Sequence, residues 1–202
     1  SKALATLAQL VILFSLLAGS VRYASAEVRL ASIFSDHMVL QRGQPVQIWG
    51  WAEAGDKIQV EFAGQTAKAS TAADGTWIVT LKPLEANAKG QPLRVVSGDQ
   101  AIVIDDILIG EVWHASGQSN MAMTVGAMSR EMDVVKTDIA AADLPTLRFC
   151  RINEAESPKP LTDLPRPATW TVCTPSTVSS FSGVAFYFAR RLQGELRVPI
   201  GV

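Results

Sequence analysis

The hydrophobic pattern of this chain changes period near Ala101, and no single structural layer suits both halves. From Val28 to about Val103 the apolar residues alternate in short runs. Ile58, Val60 and Phe62 are separated by Gln59 and Glu61, and Trp77, Val79 and Leu81 repeat the same spacing. Successive side chains of a strand point to opposite faces, so period two means one buried and one wet face. Asp74-Gly75 between these runs has the composition of a hairpin turn, where a positive φ favours Gly. Gly43, Gly55, Gly64, Gly90 and Gly98 add turn positions at near-regular intervals. Short strands spaced this way predict a β-sandwich over residues 27–103. Its expected core holds Val46, Ile48, Trp49 or Trp51, and the alternating residues above.

After Ala101 the texture is different. Ile102-Val103-Ile104 and Ile107 to Trp113 are nearly continuous apolar runs, as in strands covered on both faces. Met132, Val135 and Ile139 share a helical face, and Leu147 to Ile152 has strand character. Asn153 to Ala168 contains Pro158, Pro160, Pro165 and Pro167 and must be loop. Ser180 to Leu196 is predicted helical, with Val184, Phe188 and Leu192 as its apolar row. Arg197 to Val202 begins another strand. Strand, helix, strand, helix, strand is the order of an α/β layer, so residues 104–202 are expected to form part of a parallel-sheet domain.

The first 26 residues belong to neither half. Lys2, an apolar run from Leu4 to Leu17, and Ala24-Ser25-Ala26 have the three parts of an export signal peptide. No cysteine follows that run, so no lipid anchor at the cleavage site is expected. The expected localisation is periplasmic or extracellular. The segment takes two basic residues from a chain of 18 basic and 19 acidic ones, which leaves the remainder mildly acidic. That balance offers no electrostatic case for nucleic acid or an anionic membrane as partner. Cys150 and Cys173 would meet an oxidising compartment, yet both flank apolar residues and are expected to be buried free thiols rather than a bridge.

Gly117-Gln118-Ser119-Asn120-Met121 follows the strand-like run that ends at Trp113 and precedes a helix-like segment. A hydroxyl is a poor nucleophile until a base takes its proton. At a strand-to-helix turn it is exposed, and unpaired N–H groups are near to hold a developing oxyanion. Gly117 keeps the turn tight, and Gln118 and Asn120 supply side-chain amides. This is not a Gly-x-Ser-x-Gly elbow, since Met121 stands at the second Gly position. Taken alone, the pentapeptide fits a helix cap better than a nucleophile.

Its flanks alter that balance. Phe34-Ser35-Asp36-His37-Met38-Val39-Leu40-Gln41, with Val46-Gln47-Ile48-Trp49-Gly50, resembles the start of the sialate O-acetylesterases and related carbohydrate acetylesterases. Glu111-Val112-Trp113-His114-Ala115-Ser116 resembles their nucleophile strand. Trp170 to Pro175 and Phe181 to Ala189 are similar to their next helix and its approach, and Pro199-Ile200-Gly201-Val202 to their second α/β strand. The resemblance covers most of residues 28–202, in the family's order. It implies a hydrolase of SGNH type, with a flavodoxin-like parallel sheet behind a β-sandwich. By the resemblance Ser119 is the nucleophile and its own N–H one oxyanion donor. The other donors come from a Gly after the second strand and an Asn in a later block. The family's catalytic Asp and His come from a segment near the end of the domain. None of those positions lies within residues 1–202, so the expectation is an incomplete N-terminal portion, inactive alone. The implied substrate is an acetylated sugar or glycan, such as acetylated sialic acid or xylan, and no metal or organic cofactor is implied.

The two histidines do not fill the gap. His37 lies in a block that reads as structural, and His114 sits on the strand itself, aimed at a sheet face rather than over its end. Asp105-Asp106 reads as a solvated connector rather than a carboxylate pair. Without Cys/His ligand spacing there is no support for zinc. The Pro-rich loop fits a sugar-pocket wall and an ordinary surface connector equally well. A non-catalytic carbohydrate-binding or scaffold protein built on the β-sandwich is the alternative reading, separated from the first by the sequence that follows Val202.

Overall fold

The structure is a computed structural model and describes residues 27–152 and 156–202; the predicted export signal lies outside them. The described residues form a mixed α/β fold with two sheets. A three-stranded antiparallel sheet is built from β1 (Arg29–Leu30), β3 (Val46–Trp51) and β6 (Thr76–Leu81), in the order β1-β3-β6. The second sheet holds β2 (Val39–Gln41), β4 (Lys57–Phe62), β5 (Gln65–Ser70), β7 (Asn87–Ser97), β8 (Gln100–Val112), β9 (Leu144–Cys150), β10 (Trp170–Cys173) and β11 (Ile200–Gly201). Its order is β10-β9-β11-β8-β7-β4-β5, with β2 paired to β8.

Alternation works as physical chemistry requires. Ile58, Val60 and Phe62 of β4 and Trp77, Val79 and Leu81 of β6 are buried, and both sheets contribute to one apolar core. Val46 and Ile48 join it as expected, but Trp49 and Trp51 do not. They lie on the opposite, half-exposed face of β3, and Trp77 fills the core instead. Asp74-Gly75 is a second correction. It forms a turn, with Gly75 at φ 83, but β5 before it and β6 after it belong to different sheets. The two-residue hairpin is Ala63-Gly64, both at positive φ, closing the pair Phe62↔Gln65 between β4 and β5.

β8 joins the two textures. Its first half pairs antiparallel with β7, through Leu93↔Ile104, and its last residues pair parallel with β11, through Ile200↔Glu111. Ile107 to Gly110 are all buried, because β8 is there covered on both faces. Asp105 and Asp106, read as a solvated connector, instead lie within β8. Leu93 faces Ile104 but Gln91 faces Ile107, so this pair bulges opposite Pro92. Proline has no N–H to give the ladder, which is why it is tolerated at such a break.

Past β8 come α1 (Ser119–Ala122), α2 (Val125–Met128) and α3 (Asp133–Ala140), then β9, the antiparallel β10, α4 (Gly183–Leu196) and β11. β11 is parallel to both neighbours and fills the place between β8 and β9. Helices and strands share a second core of Val125, Val135, Leu147, Phe149, Phe186 and Ile200, among others. Of the residues assigned to the α3 face, Val135 is buried and Ile139 packs against this core, whereas Met132 caps the helix and is exposed.

The predicted helix is present as α4, but it turns a different side to the sheet. Gly183, Ala185, Phe186 and Ala189 are buried, while Val184 is 50 % and Phe188 43 % exposed. Small residues at 185 and 189 allow close approach to the sheet, and bulk at 184 and 188 does not. Cys150 and Cys173 are free thiols at opposite ends of the β9–β10 ladder, facing Trp170 and Leu144. Six residues of strand separate those positions by about 20 Å, and a disulfide needs Cα atoms within about 7 Å. Burial pushes both thiols up to about 11.

Candidate active site

β8, β11 and β9 run parallel, so their C-terminal ends open on one edge. Ligand sites of parallel α/β sheets form at such edges. The chain leaves β8 there: the Trp113 N–H donates to Gly201 O at 2.8 Å, and residues 113–117 cross the edge without regular structure. Ser119 then opens α1, a single turn. Residues 112–120 are exposed throughout, so Ser119 and the amide side chains of Gln118 and Asn120 face solvent.

Local contacts hold the turn. The Ala122 N–H donates to Gln118 O at 2.9 Å and the Met123 N–H to Ser119 O at 3.1 Å. The first N–H groups of the turn therefore have no acceptor within α1, and Gln118, at the cap, offers them no side-chain acceptor. Gly117 is needed for closeness: a Cβ there would sit 3.0 Å from Met121 Cβ. Met121 in turn anchors the site to α4, since Ser182 Oγ donates to its Sδ at 3.3 Å. The Gly183 N–H donates to Met123 O at 2.8 Å, and Thr124 forms a bridge with Ser182. Ser182 also caps α4 by accepting from the Ala185 N–H. Sequence reasoning missed this residue, although a serine placed before a helical run is an N-cap signal.

The structure does not bring a base to Ser119. Among the described residues, Ser119 Oγ hydrogen-bonds to neither histidine and to no carboxylate. His114 is exposed, five residues before it. His37 lies at the bulge midway along β8, away from the Ser119 turn, where its Nδ1–H donates to Asp106 Oδ2 at 2.7 Å. Arg148 Nη1 donates to the same oxygen at 2.8 Å. Burial pushes the Asp106 carboxyl up, but these two donors outweigh it and hold it below the usual carboxylate range. No group of three or more His, Cys, Asp or Glu among the described residues has the geometry of a metal site.

β9 ends at the same sheet edge, and the described part of the Pro-rich loop after it, residues 156–168, is tied to the segment after β1. Asp163 accepts the Ser32 N–H at 2.8 Å, the Ser32 Oγ–H at 3.0 Å and Arg29 Nη1 at 2.9 Å. The Ala168 N–H donates to Ser32 O, and Trp170 Nε1 to Ile33 O. At the edge itself, Trp113 is 44 % exposed and packs edge-to-face on Phe188, with ring centroids 5.2 Å apart. No helix of the described residues is long and apolar enough to cross a membrane.

Comparisons with known proteins place this geometry in context. No protein-family model matches the chain. The sialate O-acetylesterase of Rattus norvegicus is 30 % identical over 203 residues, covering 90 % of this chain and 36 % of the relative. The human enzyme of the same name is 28 % identical over 204 residues, covering 90 % of this chain and 37 % of the relative. A crystal structure of a carbohydrate acetylesterase from Xanthomonas citri superposes with a TM-score of 0.81 at 32 % identity. That match covers 86 % of this chain and 39 % of that one. The chain thus spans little more than a third of the length of the curated relatives it matches.

Proposed function

The chain belongs, over the residues it shares with them, to the family of the sialate O-acetylesterases and related carbohydrate acetylesterases, and we propose that it is the N-terminal portion of an exported esterase that removes O-acetyl groups from sugars. Ser119 is the nucleophile. The observation that carries this reading is its position: an exposed serine opening a helical turn at the C-terminal edge of three parallel strands.

The position and the acetylesterase relatives together support the following reaction. Ser119 Oγ attacks the acetyl carbonyl as a base removes its proton, and N–H donors including that of Ser119 hold the oxyanion. Collapse expels the sugar oxygen, which takes the proton, and leaves an acetyl-serine. Water, activated by the same base, then releases acetate. Gly117 keeps the turn tight enough to present the hydroxyl, and Gln118 and Asn120 line the approach. The resemblance to the acetylesterases assigns the base and its orienting carboxylate to a later segment of the domain; among the described residues His37 is held by Asp106 and His114 makes no hydrogen bond to Ser119. The 202-residue chain alone therefore turns over an aryl acetate negligibly.

In this reading residues 1–26 direct export to the periplasm or exterior, and 27–103 form a β-sandwich. Residues 104–202 begin a flavodoxin-like layer of SGNH type. The substrate is an acetylated sugar or glycan. In the longest natural form of the protein, Ser119→Ala should lower kcat on an O-acetylated sialoside or on acetylated xylan by about a thousandfold or more. An S119A enzyme that keeps its rate on whichever of these the wild type cleaves would remove Ser119 from the chemistry.

A further inference from the structure

Three elements meet at the bulge of β8, and the contact has an unusual backbone. Asp106 sits at φ 55 and His37 at φ 67, both in the left-handed region that L side chains rarely adopt. Such residues persist only where their surroundings fix them. Here the fixing groups are a guanidinium, a carboxylate and an imidazole. Asp106 Oδ2 receives Nδ1 of His37, on the approach to β2, and Nη1 of Arg148, in β9. The Arg148 side chain is only 5 % exposed, and it also donates to the carbonyls of Pro145 and His37. Asp36 accepts the Asp105 N–H at 2.7 Å, and the His37 N–H donates to Asp105 O. β7 must pass closely on the remaining side: a Cβ on Gly90 would meet Asp106 Oδ1 at 2.1 Å.

This knot lies where the β7–β8 ladder shifts register, beyond which β8 keeps only the pairs Gln91↔Ile107 and Asn87↔Ile109 with β7 and goes on to carry the Ser119 turn. From Ile107 to Val112 the strand reaches about 20 Å beyond it. A change of direction of about 10° at the bulge would move the end of that lever by roughly 3.5 Å, against the ~1 Å misplacement that costs a catalytic group about a hundredfold. We propose that Arg148, Asp106 and His37 form an electrostatic joint that sets the direction of the second half of β8, and with it the parallel pairing of β8, β11 and β9. Asp106 is thus a positioning residue. Its consequence for Ser119 rests on the nucleophile reading above, but the joint itself does not.

Hydrogen exchange on the 202-residue chain at neutral pH tests it without any activity. Asp106→Asn keeps size and left-handed tolerance while removing the charge, and His37→Asn keeps that tolerance while replacing the imidazole with a shorter amide. In D106N the amides of Leu108 to Val112 and Leu147 to Cys150 should exchange at least tenfold faster, while Ile58 to Phe62 of β4 stays within twofold. H37N should show the same pattern at smaller amplitude, and it decides the matter alone if D106N does not fold. Unchanged exchange, or an equal rise in β4, would overturn the joint, the latter by making Asp106 a general contributor to stability. S119A should exchange as the wild type does, so a failed nucleophile assignment leaves this outcome untouched.

Discussion

Arg197 ends α4 with φ 55 and ψ 36, donating its N–H to Gln193 O. This left-handed stop is usually made by glycine, because a Cβ crowds the following carbonyl there. Pro199 follows and prevents the helix from continuing. Arg197→Gly should therefore stabilise the chain by about 0.5–1 kcal/mol, read as a higher urea midpoint with an unchanged slope. A lower midpoint would mean that the arginine side chain contributes more than its backbone strain costs. Residue-scale features of this kind are only partly legible in sequence. The place of Ser119 at a strand-to-helix turn was, because strand, turn and helix are each local signals. The Asp106 joint was not. Asp105-Asp106 looks like a solvated pair until Pro92 makes a bulge opposite it and Arg148 arrives from a different strand.

At the scale of elements, α4 shows why periodicity alone misleads. Val184, Phe188 and Leu192 form a regular row, and so do Ala185 and Ala189 beside Phe186. A helix apolar on two sides does not say which one meets the sheet. The structure buries the side with alanines, and that choice is testable. Phe186→Ala should cost about 3–5 kcal/mol, as for a buried aromatic, while Phe188→Ala should cost under about 1 kcal/mol, as for an exposed position. Equal losses by urea titration would return the row at Val184 and Phe188 to the core. Hairpins raise the same difficulty. Asp74-Gly75 does turn, yet whether β5 and β6 pair across it depends on which sheet each joins. The alternation in β4 and β6 was legible because one wet face and one buried face is a local property.

For the whole molecule, Asp138, Asp163 and Glu111 tie distant parts of the chain together, and each lies below its ordinary range. Asp138 is held low by the Arg190 guanidinium and the Tyr187 hydroxyl, joining α3 to α4. Asp163 is pushed up by burial, but donors from Ser32, Leu164 and Arg29 more than offset this. Glu111 is held low by Arg42 and Gln41. A carboxyl depressed in the folded state stabilises it above its unfolded pKa, and the contribution disappears as pH falls through the lower folded value. The urea midpoint should therefore stay level from pH 7 to about 5 and fall below about 4. A midpoint unchanged down to pH 3 would show that these pairs add nothing to stability.

The place of β11 between β8 and β9 also bears on how the chain reaches this state. Residues 199–202 supply bonds on both sides: the Glu111 N–H donates to Pro199 O, that of Trp113 to Gly201 O, and that of Cys150 to Val202 O. β8 and β9 are thus synthesised well before the strand that separates them, and the loop from Glu111 to Ile200 has to close first. Non-local parallel pairing of this kind is slow to form. During synthesis two apolar strands wait with open edges, and a ribosome-bound chain at that stage is the species most exposed to aggregation.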